Sequence, residues 1–118
     1  MARVAIVTGG TRGIGKAICL ALKEQGCRVV ANFGGNDAKA RAFTAETEIP
    51  AYKWDVGDYD ATIAGCAQVE QDVGPIDIVV NNAGITRDGV LHKMSWEDWN
   101  EVMRINLGGC FNMAKASF

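Results

Sequence analysis

Thr8-Gly9-Gly10-Thr11-Arg12-Gly13-Ile14-Gly15 is the stretch that decides the fold, and it follows the apolar run Val4-Ala5-Ile6-Val7. That run has the length and the β-branched residues of a buried strand, so the glycines lie where a strand gives way to a helix. A helix N-terminus offers unpaired N–H groups and a partial positive charge, and glycine lets an anion approach the backbone. The sequence therefore predicts a site for a pyrophosphate.

The glycines are spaced Gly9-x-x-x-Gly13-x-Gly15, which differs from the common dinucleotide fingerprint G-x-G-x-x-G. In this variant we expect Gly9 to close the tight turn, Gly13 to admit the pyrophosphate and Gly15 to let the helix pack against the strand. An ordinary strand-to-helix turn has similar glycines, so the assignment also depends on the other strand ends. The remaining predicted cofactor contacts of this loop are Thr11, Arg12 and Ile14.

Composition limits the partners of the chain. Its 118 residues, 48% hydrophobic and 22% charged, fit one globular domain over residues 1–118. The net charge of −2, with both signs scattered, gives no basic face for nucleic acid.

The first apolar run is too short for a signal peptide or a membrane span, which favours a cytoplasmic protein. The four cysteines are far apart and His92 is the one histidine, so no metal site or disulfide framework is predicted.

Short apolar runs alternate with helical patterns along the chain. We predict strands at residues 4–7, 28–33, 51–55 and 76–80, and helices at 13–25, 37–47, 59–73 and from 96 onward. Continuous apolar runs joined by helices predict parallel strands buried on both faces and right-handed crossovers. The predicted fold class is α/β, a Rossmann-like doubly wound sheet. The last helical pattern has no stop signal before Phe118, so we expect the chain to be cut inside an element.

Two other strand ends carry candidate binding residues. Asn81-Asn82-Ala83-Gly84, followed by Ile85, comes after the fourth strand, and its small residues leave room for a ribose. Asp55-Val56 ends the third strand, where a carboxylate can accept a hydrogen bond from an adenine amino group. Either stretch is also typical of a structural turn. Because strand ends meet at the switch point of such a sheet, their coincidence favours a dinucleotide site.

Charge near the end of the second strand favours NADPH over NADH. An NAD site usually has Asp or Glu there to bind the ribose 2′-OH, but this chain has Asn32-Phe33-Gly34. A 2′-phosphate is then not repelled, and Arg12 can form charge-assisted hydrogen bonds with it. Lys39 and Arg41, which open the next helix, add to the attraction. The alternative is that Arg12 is a solvated loop charge.

Asn106 lies in the last helical pattern on the same face as Trp99, Met103 and Cys110. A polar residue there needs hydrogen-bond partners, and a satisfied core asparagine is the plain interpretation. Gly108-Gly109 predicts a close approach by a neighbouring element. The tryptophans of this helix are expected in the core or at an interface.

Four spaced motifs together resemble the short-chain dehydrogenase/reductase family over the whole chain. They are Thr8-Gly9-x-x-x-Gly13-Ile14-Gly15, Asp55-Val56, Asn81-Asn82-Ala83-Gly84 and Asn106-Leu107. The resemblance implies the NADP-binding N-terminal half of a Rossmann-like domain, with strand order 3-2-1-4 and truncated before the later strands. It also implies a homo-oligomer, a tetramer in intact members. The fourth strand then lies at an open edge, and apolar surface on the last helix invites self-association.

Within the family, the runs at residues 31–37, 52–56, 85–88 and 92–94 resemble NADPH-dependent reductases of short 3-oxoacyl thioesters. The implied reaction converts acetoacetyl-CoA to 3-hydroxybutyryl-CoA in polyhydroxybutyrate synthesis, with acyl-carrier-protein thioesters as the alternative substrates. In the family a tyrosine donates the proton, a lysine four residues later lowers its pKa, and a serine orients the carbonyl. Asn106 matches the family asparagine that anchors a water of the proton relay. Asp88 lies where such reductases line the substrate mouth.

The chain departs from the family at the proton donor. Neither Tyr52 nor Tyr59 has a lysine four positions later, and no strand with the serine follows the last helix. We therefore expect no ketone reduction by residues 1–118 alone. The competing hypothesis is a non-catalytic nucleotide-binding or self-associating module, which a stop codon directly after Phe118 would favour. A methyltransferase is disfavoured because such an enzyme would need an acidic residue at the end of the second strand, where this chain has none.

Overall fold

The computed structural model describes residues 2–85 and 91–118. Its elements in chain order are β1 (Val4–Thr8), α1 (Gly13–Glu24), β2 (Arg28–Phe33), α2 (Asp37–Thr47), β3 (Ala51–Lys53), α3 (Tyr59–Asp72), β4 (Ile76–Val80), a 3₁₀ turn (Leu91–Lys93), α4 (Trp96–Met103), a π-helical turn (Arg104–Gly108) and α5 (Gly109–Ser117). The predicted substrate residue Asp88 lies outside the described residues.

The four strands form one parallel sheet in the order β3-β2-β1-β4, which confirms the predicted fold class and strand order. β1 pairs with β2 on one side and with β4 on the other, and all five of its residues are buried. That burial is typical of a strand covered on both faces. Because the strands are parallel, their carboxyl ends all lie at one edge of the sheet.

Two apolar clusters hold the helices against the two faces of the sheet. Ile6 packs with Val69 of α3 and Met113 of α5. Val7, its neighbour in β1, packs with Phe43 of α2 in the other cluster, to which α1 also contributes. Successive strand residues point to opposite faces, so β1 alone serves both clusters.

The predicted helix boundaries are supported by caps. The Ser95 hydroxyl accepts a hydrogen bond of 3.0 Å from the Asp98 N–H, as expected of the Ser-x-x-Asp pattern. Gly26 follows α1 with a φ of +92°, a value that glycine adopts without strain. Asn36 caps α2 by accepting from the Lys39 N–H at 2.9 Å.

Two elements differ from the sequence prediction by more than one residue. β3 ends at Lys53 rather than at Asp55, because the Asp55 carboxylate accepts a hydrogen bond from the Gly57 N–H at 2.8 Å and turns the chain out of the ladder. The predicted continuous last helix is divided by the π-helical turn at residues 104–108. The Asn106 side chain bonds outside its own helix there, and the following glycines lower the local preference for a regular helix.

The close approach predicted from the glycine pair occurs at Gly109. A Cβ added at Gly109 would lie 2.7 Å from the Val56 Cγ2, whereas one added at Gly108 would have its nearest neighbour, the Met103 carbonyl oxygen, at 3.8 Å. In the next turn, the buried Asn112 Nδ2 donates to the Val56 carbonyl oxygen at 2.8 Å. The loop after β3 is therefore packed directly against α5.

The last helical segment exposes much of its apolar surface, as predicted. Trp96 is 70% exposed and Phe111 is 64% exposed. Trp96 stacks on Trp99 with ring centroids 5.1 Å apart and planes 13° apart. These tryptophans are not core residues, and their place at an interface stays a prediction.

Replacing Gly109 by Ala tests the packing of α5 on the loop after β3. We expect Gly109→Ala to lower the free energy of unfolding by about 1–3 kcal/mol, because the new methyl group overpacks against Val56. The matched variant Gly108→Ala should leave that energy unchanged or raise it by up to about 1 kcal/mol through helix propensity. Urea denaturation followed by circular dichroism measures both, and equal effects would contradict the packing described.

Candidate functional site

A cavity of about 360 Å³ lies at the carboxyl ends of the strands. The loops after all four strands of the described sheet line it, which is where the switch-point rule places a ligand. Of the predicted cofactor contacts, the cavity brings together Gly9, Thr11, Arg12, Asp55, Val56, Ala83, Gly84 and Ile85.

The glycine loop has the geometry that an anion site requires. Gly9 and Gly13 have φ values of +61° and +56°, in the left-handed region that favours glycine. A Cβ added at Gly15 would overlap the Gly9 carbonyl oxygen, so only glycine lets α1 begin this close to β1. A Cβ added at Gly13 would meet nothing within 4 Å in the described part of the chain, so space is open in front of the helix.

The first turn of α1 keeps its amide groups available. Arg12 is the N-cap residue, and within the described residues its side chain makes no capping hydrogen bond. Ile14 is 75% exposed and leaves the helix start uncovered. Unpaired N–H groups at a helix N-terminus attract an anion, and the Arg12 guanidinium adds a full positive charge at the cavity wall.

The Thr8 hydroxyl joins the end of β1 to the loop after β4. It accepts hydrogen bonds from the Asn82 and Ala83 N–H groups at 3.0 and 2.9 Å, and Thr8 is 1% exposed. The Asn82 Nδ2 in turn donates to the Gly9 carbonyl oxygen at 3.1 Å. Asn82 thus braces the glycine loop. Our sequence analysis did not assign Thr8 to the site, although it is the last residue of β1 and opens the glycine motif.

The end of β2 carries no acidic side chain on the described cavity wall. Asn32 and Phe33 line the cavity there, and the buried Asn32 Nδ2 donates to the Trp54 carbonyl oxygen at 3.0 Å. Asn32 thereby ties the end of β2 to the chain leaving β3, a role that our sequence analysis missed. Of the other predicted phosphate partners, Lys39 is exposed on α2 outside the cavity wall. Arg41 lines a separate groove between α2 and β3.

The Asp55 carboxylate is already engaged at the cavity rim. One of its oxygens accepts from the Gly57 N–H at 2.8 Å, and the other accepts from the Arg104 Nη1 at 2.9 Å. An ionised carboxylate has about four acceptor positions, so two remain for a ligand. The turn-forming acid and the ligand acceptor, which the sequence left as alternatives, are compatible in this geometry.

Asn106 clamps the backbone of Ile85. Its Oδ1 accepts from the Ile85 N–H at 2.8 Å, and its Nδ2 donates to the Ile85 carbonyl oxygen at 2.9 Å. The predicted partners are therefore present, but the side chain is exposed and not in the core. Asn106 positions a residue of the cavity wall from outside that wall. The π-helical turn is what directs its side chain towards the loop after β4.

The buried cysteines are structural. Burial raises the pKa of the Cys19 thiol to about 11, and burial also raises the pKa of the Cys66 thiol. Burial thus disfavours the thiolate at both positions, as expected of small apolar core residues. Over residues 2–85 and 91–118, the His, Cys, Asp and Glu side chains form no group of three that could hold a metal ion. Over the same ranges we find no helix with the length and apolar character to cross a membrane.

Comparison with known proteins agrees with this geometry. The sequence profile of the short chain dehydrogenase family matches residues 3–118. The chain is 61% identical over 113 residues to the acetoacetyl-CoA reductase of Rhizobium meliloti, covering 96% of this chain and 47% of that protein. It is 40% identical over 117 residues to a 3-oxoacyl-[acyl-carrier-protein] reductase of Staphylococcus aureus, covering 95% of this chain and 48% of that protein. The chain thus spans about half the length of the curated relatives it matches.

A solved structure shares the fold. The gluconate 5-dehydrogenase from Burkholderia cenocepacia, crystallised in complex with NADP and tartrate, superposes with a TM-score of 0.82 at 40% sequence identity. The match covers 98% of this chain and 47% of that one.

Removing the Thr8 hydroxyl tests the junction between β1 and the loop after β4. We expect Thr8→Val to lower the free energy of unfolding by about 1–3 kcal/mol, because the Ala83 N–H loses its acceptor and the Asn82 N–H keeps only the Val80 carbonyl oxygen. Thr8→Ser keeps the hydroxyl and should recover most of that loss. Urea denaturation measures the energies, and a valine variant as stable as the serine variant would show that the hydroxyl is dispensable.

Proposed function

This chain belongs to the short-chain dehydrogenase/reductase family, and from that premise we propose that it is the coenzyme-binding part of an NADPH-dependent 3-oxoacyl thioester reductase. The proposed substrate is acetoacetyl-CoA and the product 3-hydroxybutyryl-CoA, as in polyhydroxybutyrate synthesis. The observation that carries the proposal is the convergence of four strand-end loops on one cavity beside an uncapped helix N-terminus. The identity of 61% to an acetoacetyl-CoA reductase supports the choice of substrate.

The residues present fit a dinucleotide phosphate. The pyrophosphate would be held by the amide groups at the start of α1, where Gly13 leaves the approach open. Thr11 and Ile14 belong to the same loop, and the nicotinamide side of the molecule would lie against Ala83, Gly84 and Ile85. Asp55 and Val56 would receive the adenine.

Charge at the cavity supports NADPH as the coenzyme. Arg12 lines the cavity, and Asn32 and Phe33 stand where an NAD site usually has an acid. A 2′-phosphate would therefore gain a charge-assisted partner and meet no repulsion from the end of β2. Lys39 contributes through its charge alone, since it lies outside the cavity wall. The Asp55 carboxylate, which also lines the cavity, is paired with the Arg104 guanidinium.

When bound, NADPH supplies the hydride donor. The part of this chain in the reaction is to bind and orient the coenzyme, and Asn106 is the proposed link to the proton relay. It holds both backbone polar groups of Ile85 and so sets the position of the cavity wall where we place the nicotinamide. We propose Asp88 as a substrate contact by its family resemblance. The tyrosine, lysine and serine that the family uses for proton transfer are not matched within residues 1–118.

A second candidate substrate is a 3-oxoacyl group on acyl carrier protein. The 40% identity to a reductase of that class, and the shared run at residues 85–88, favour it as the alternative. The chemistry at the keto carbon is the same for both carriers. A non-catalytic nucleotide-binding module remains the candidate from another class. Comparing turnover of acetoacetyl-CoA with that of acetoacetyl-acyl-carrier-protein by the full protein that carries this chain distinguishes all three.

We also propose that the protein is a cytoplasmic homo-oligomer. The exposed apolar residues of the last helical segment include Trp96, Leu107 and Phe111, and a patch of this kind usually marks an interface.

Replacing Arg12 tests the coenzyme preference. We expect Arg12→Met to weaken NADPH binding about tenfold and to leave NADH binding within twofold, since only NADPH has the 2′-phosphate that the guanidinium would pair with. Arg3→Met removes a similar charge from the opposite end of β1 and should change neither affinity. Isothermal titration calorimetry measures both coenzymes, and equal weakening of both would contradict the assignment of Arg12.

The apolar face of the last helical segment gives a test of self-association. We expect residues 1–118 to form dimers or larger species in light scattering at micromolar concentration. Leu107→Lys together with Phe111→Lys should shift the mass towards the monomer, because two charges would be desolvated at the interface. A compact monomer of the unchanged chain would rule out this face as a self-association surface.

Residues 1–118 alone should not reduce a ketone. Without a matched tyrosine and lysine the proton has no donor, so we expect no oxidation of NADPH when acetoacetyl-CoA is added. Absorbance at the reduced nicotinamide band follows the reaction. Turnover at rates typical of enzymes would show that a proton donor lies within these residues.

A further inference from the structure

Arg104 joins the last helical segment to the cavity rim. It is the first residue of the π-helical turn, and its Nη1 donates to the Asp55 Oδ2 at 2.9 Å. Its Nε and Nη2 donate to the two Glu101 oxygens at 2.7 and 3.2 Å. The bidentate pair with Glu101 fixes the plane of the guanidinium, so the remaining edge is presented to Asp55. Those contacts, first that with Glu101, raise the pKa of the Arg104 guanidinium.

The guanidinium also packs closely against the loop after β3. A Cβ added at Gly57 would overlap the Arg104 Nη1 and lie 2.8 Å from its Cζ. Gly57 therefore supplies both the space for the guanidinium and the N–H that binds the other oxygen of Asp55. Two donors on two different oxygens hold the carboxylate in one orientation. The Asp55 side chain is nevertheless 46% exposed, and it lines the cavity.

We propose that Arg104 is a positioning residue for the coenzyme site, where it orients Asp55 to accept a hydrogen bond from the 6-amino group of adenine. This inference rests on the proposed function and deepens it. An exposed carboxylate on its own samples several rotamers, and ordering it before binding removes that entropy cost from association. The positive charge of the guanidinium also reduces the electrostatic repulsion between Asp55 and the phosphates of the coenzyme.

A surface ion pair without any role in binding would have the same distances. Pairs of this exposure contribute little to stability, so stability measurements do not discriminate between the two cases. A coenzyme analogue does, because the positioning role acts through a single group of the ligand. In the hypoxanthine analogue of NADPH a carbonyl oxygen replaces the 6-amino group, so Asp55 has no hydrogen to accept from that position.

The test compares the dissociation constants of NADPH and of its hypoxanthine analogue by isothermal titration calorimetry, using the full protein that carries this chain. We expect Arg104→Met to weaken NADPH binding about two- to fivefold, the range of an exposed charge pair, and to leave binding of the analogue unweakened. Asp55→Ala, which removes the acceptor oxygens, should give the same selective loss. The double variant should bind NADPH no more weakly than the weaker-binding single variant, because both substitutions remove the same interaction.

Lys53→Met is the matched control. It removes the exposed ion pair between Lys53 of β3 and Asp37, which lies outside the cavity wall, and it should change neither dissociation constant. If Arg104→Met weakens NADPH and the analogue equally, or weakens neither, the positioning role is overturned while coenzyme binding stands. If the unchanged protein binds no nicotinamide coenzyme, the proposed function fails first and the inference with it. Should Arg104→Met unfold, Arg104→Lys replaces it, because lysine keeps the charge but loses the two-point contact with Glu101. It should give the same selective loss, and equal weakening of NADPH and the analogue, or no weakening, overturns the positioning role.

Discussion

The site depends on the buried hydroxyl of Thr8, which fixes the loop after β4 to the end of β1. The N–H groups of Asn82 and Ala83 both donate to the Thr8 hydroxyl oxygen. The Asn82 side chain also donates to the Gly9 carbonyl oxygen. Because the Thr8 hydroxyl is buried, separating the loops would break these hydrogen bonds and leave the hydroxyl without its donors. These hydrogen bonds therefore hold the glycine turn and the loop around Ala83 in a fixed relative position. The start of α1 is thus positioned by the protein itself.

The last helical segment extends the same principle to the other walls. Asn106 holds the Ile85 backbone, Arg104 holds the Asp55 carboxylate, and Asn112 holds the Val56 carbonyl. Asn106 and Arg104 both lie in the π-helical turn and contact different loops, and Asn112 lies in the α5 helix that follows it. The helices on this face of the sheet thus determine the geometry of a cavity whose wall is made mainly of loops. The walls to which we assign the adenine and the nicotinamide therefore share one support.

The sequence predicted the sheet well because each strand is a continuous apolar run bounded by turn residues. β2, α2 and β4 have the predicted bounds, and the strand order agrees. The end of β3 was wrong because the Asp55 side chain competes with the ladder. The π-helical turn was not predicted, because the expected spacing of apolar residues was that of a regular α-helix throughout. Thr8, Asn32 and Arg104 were missed since their partners are distant in sequence, with 74 positions separating Thr8 from Asn82.

The central claim is that the uncapped start of α1 and the loops around it bind a nicotinamide dinucleotide phosphate. An NMR titration of the ¹⁵N-labelled protein with NADP⁺ tests it most directly, because it reports each amide separately. We expect saturable shifts for the amides of Gly13, Ile14 and Gly15, together with those of Ala83 and Val56. Shifts confined to the groove between α2 and β3, or no saturable shifts at all in folded protein, would contradict it.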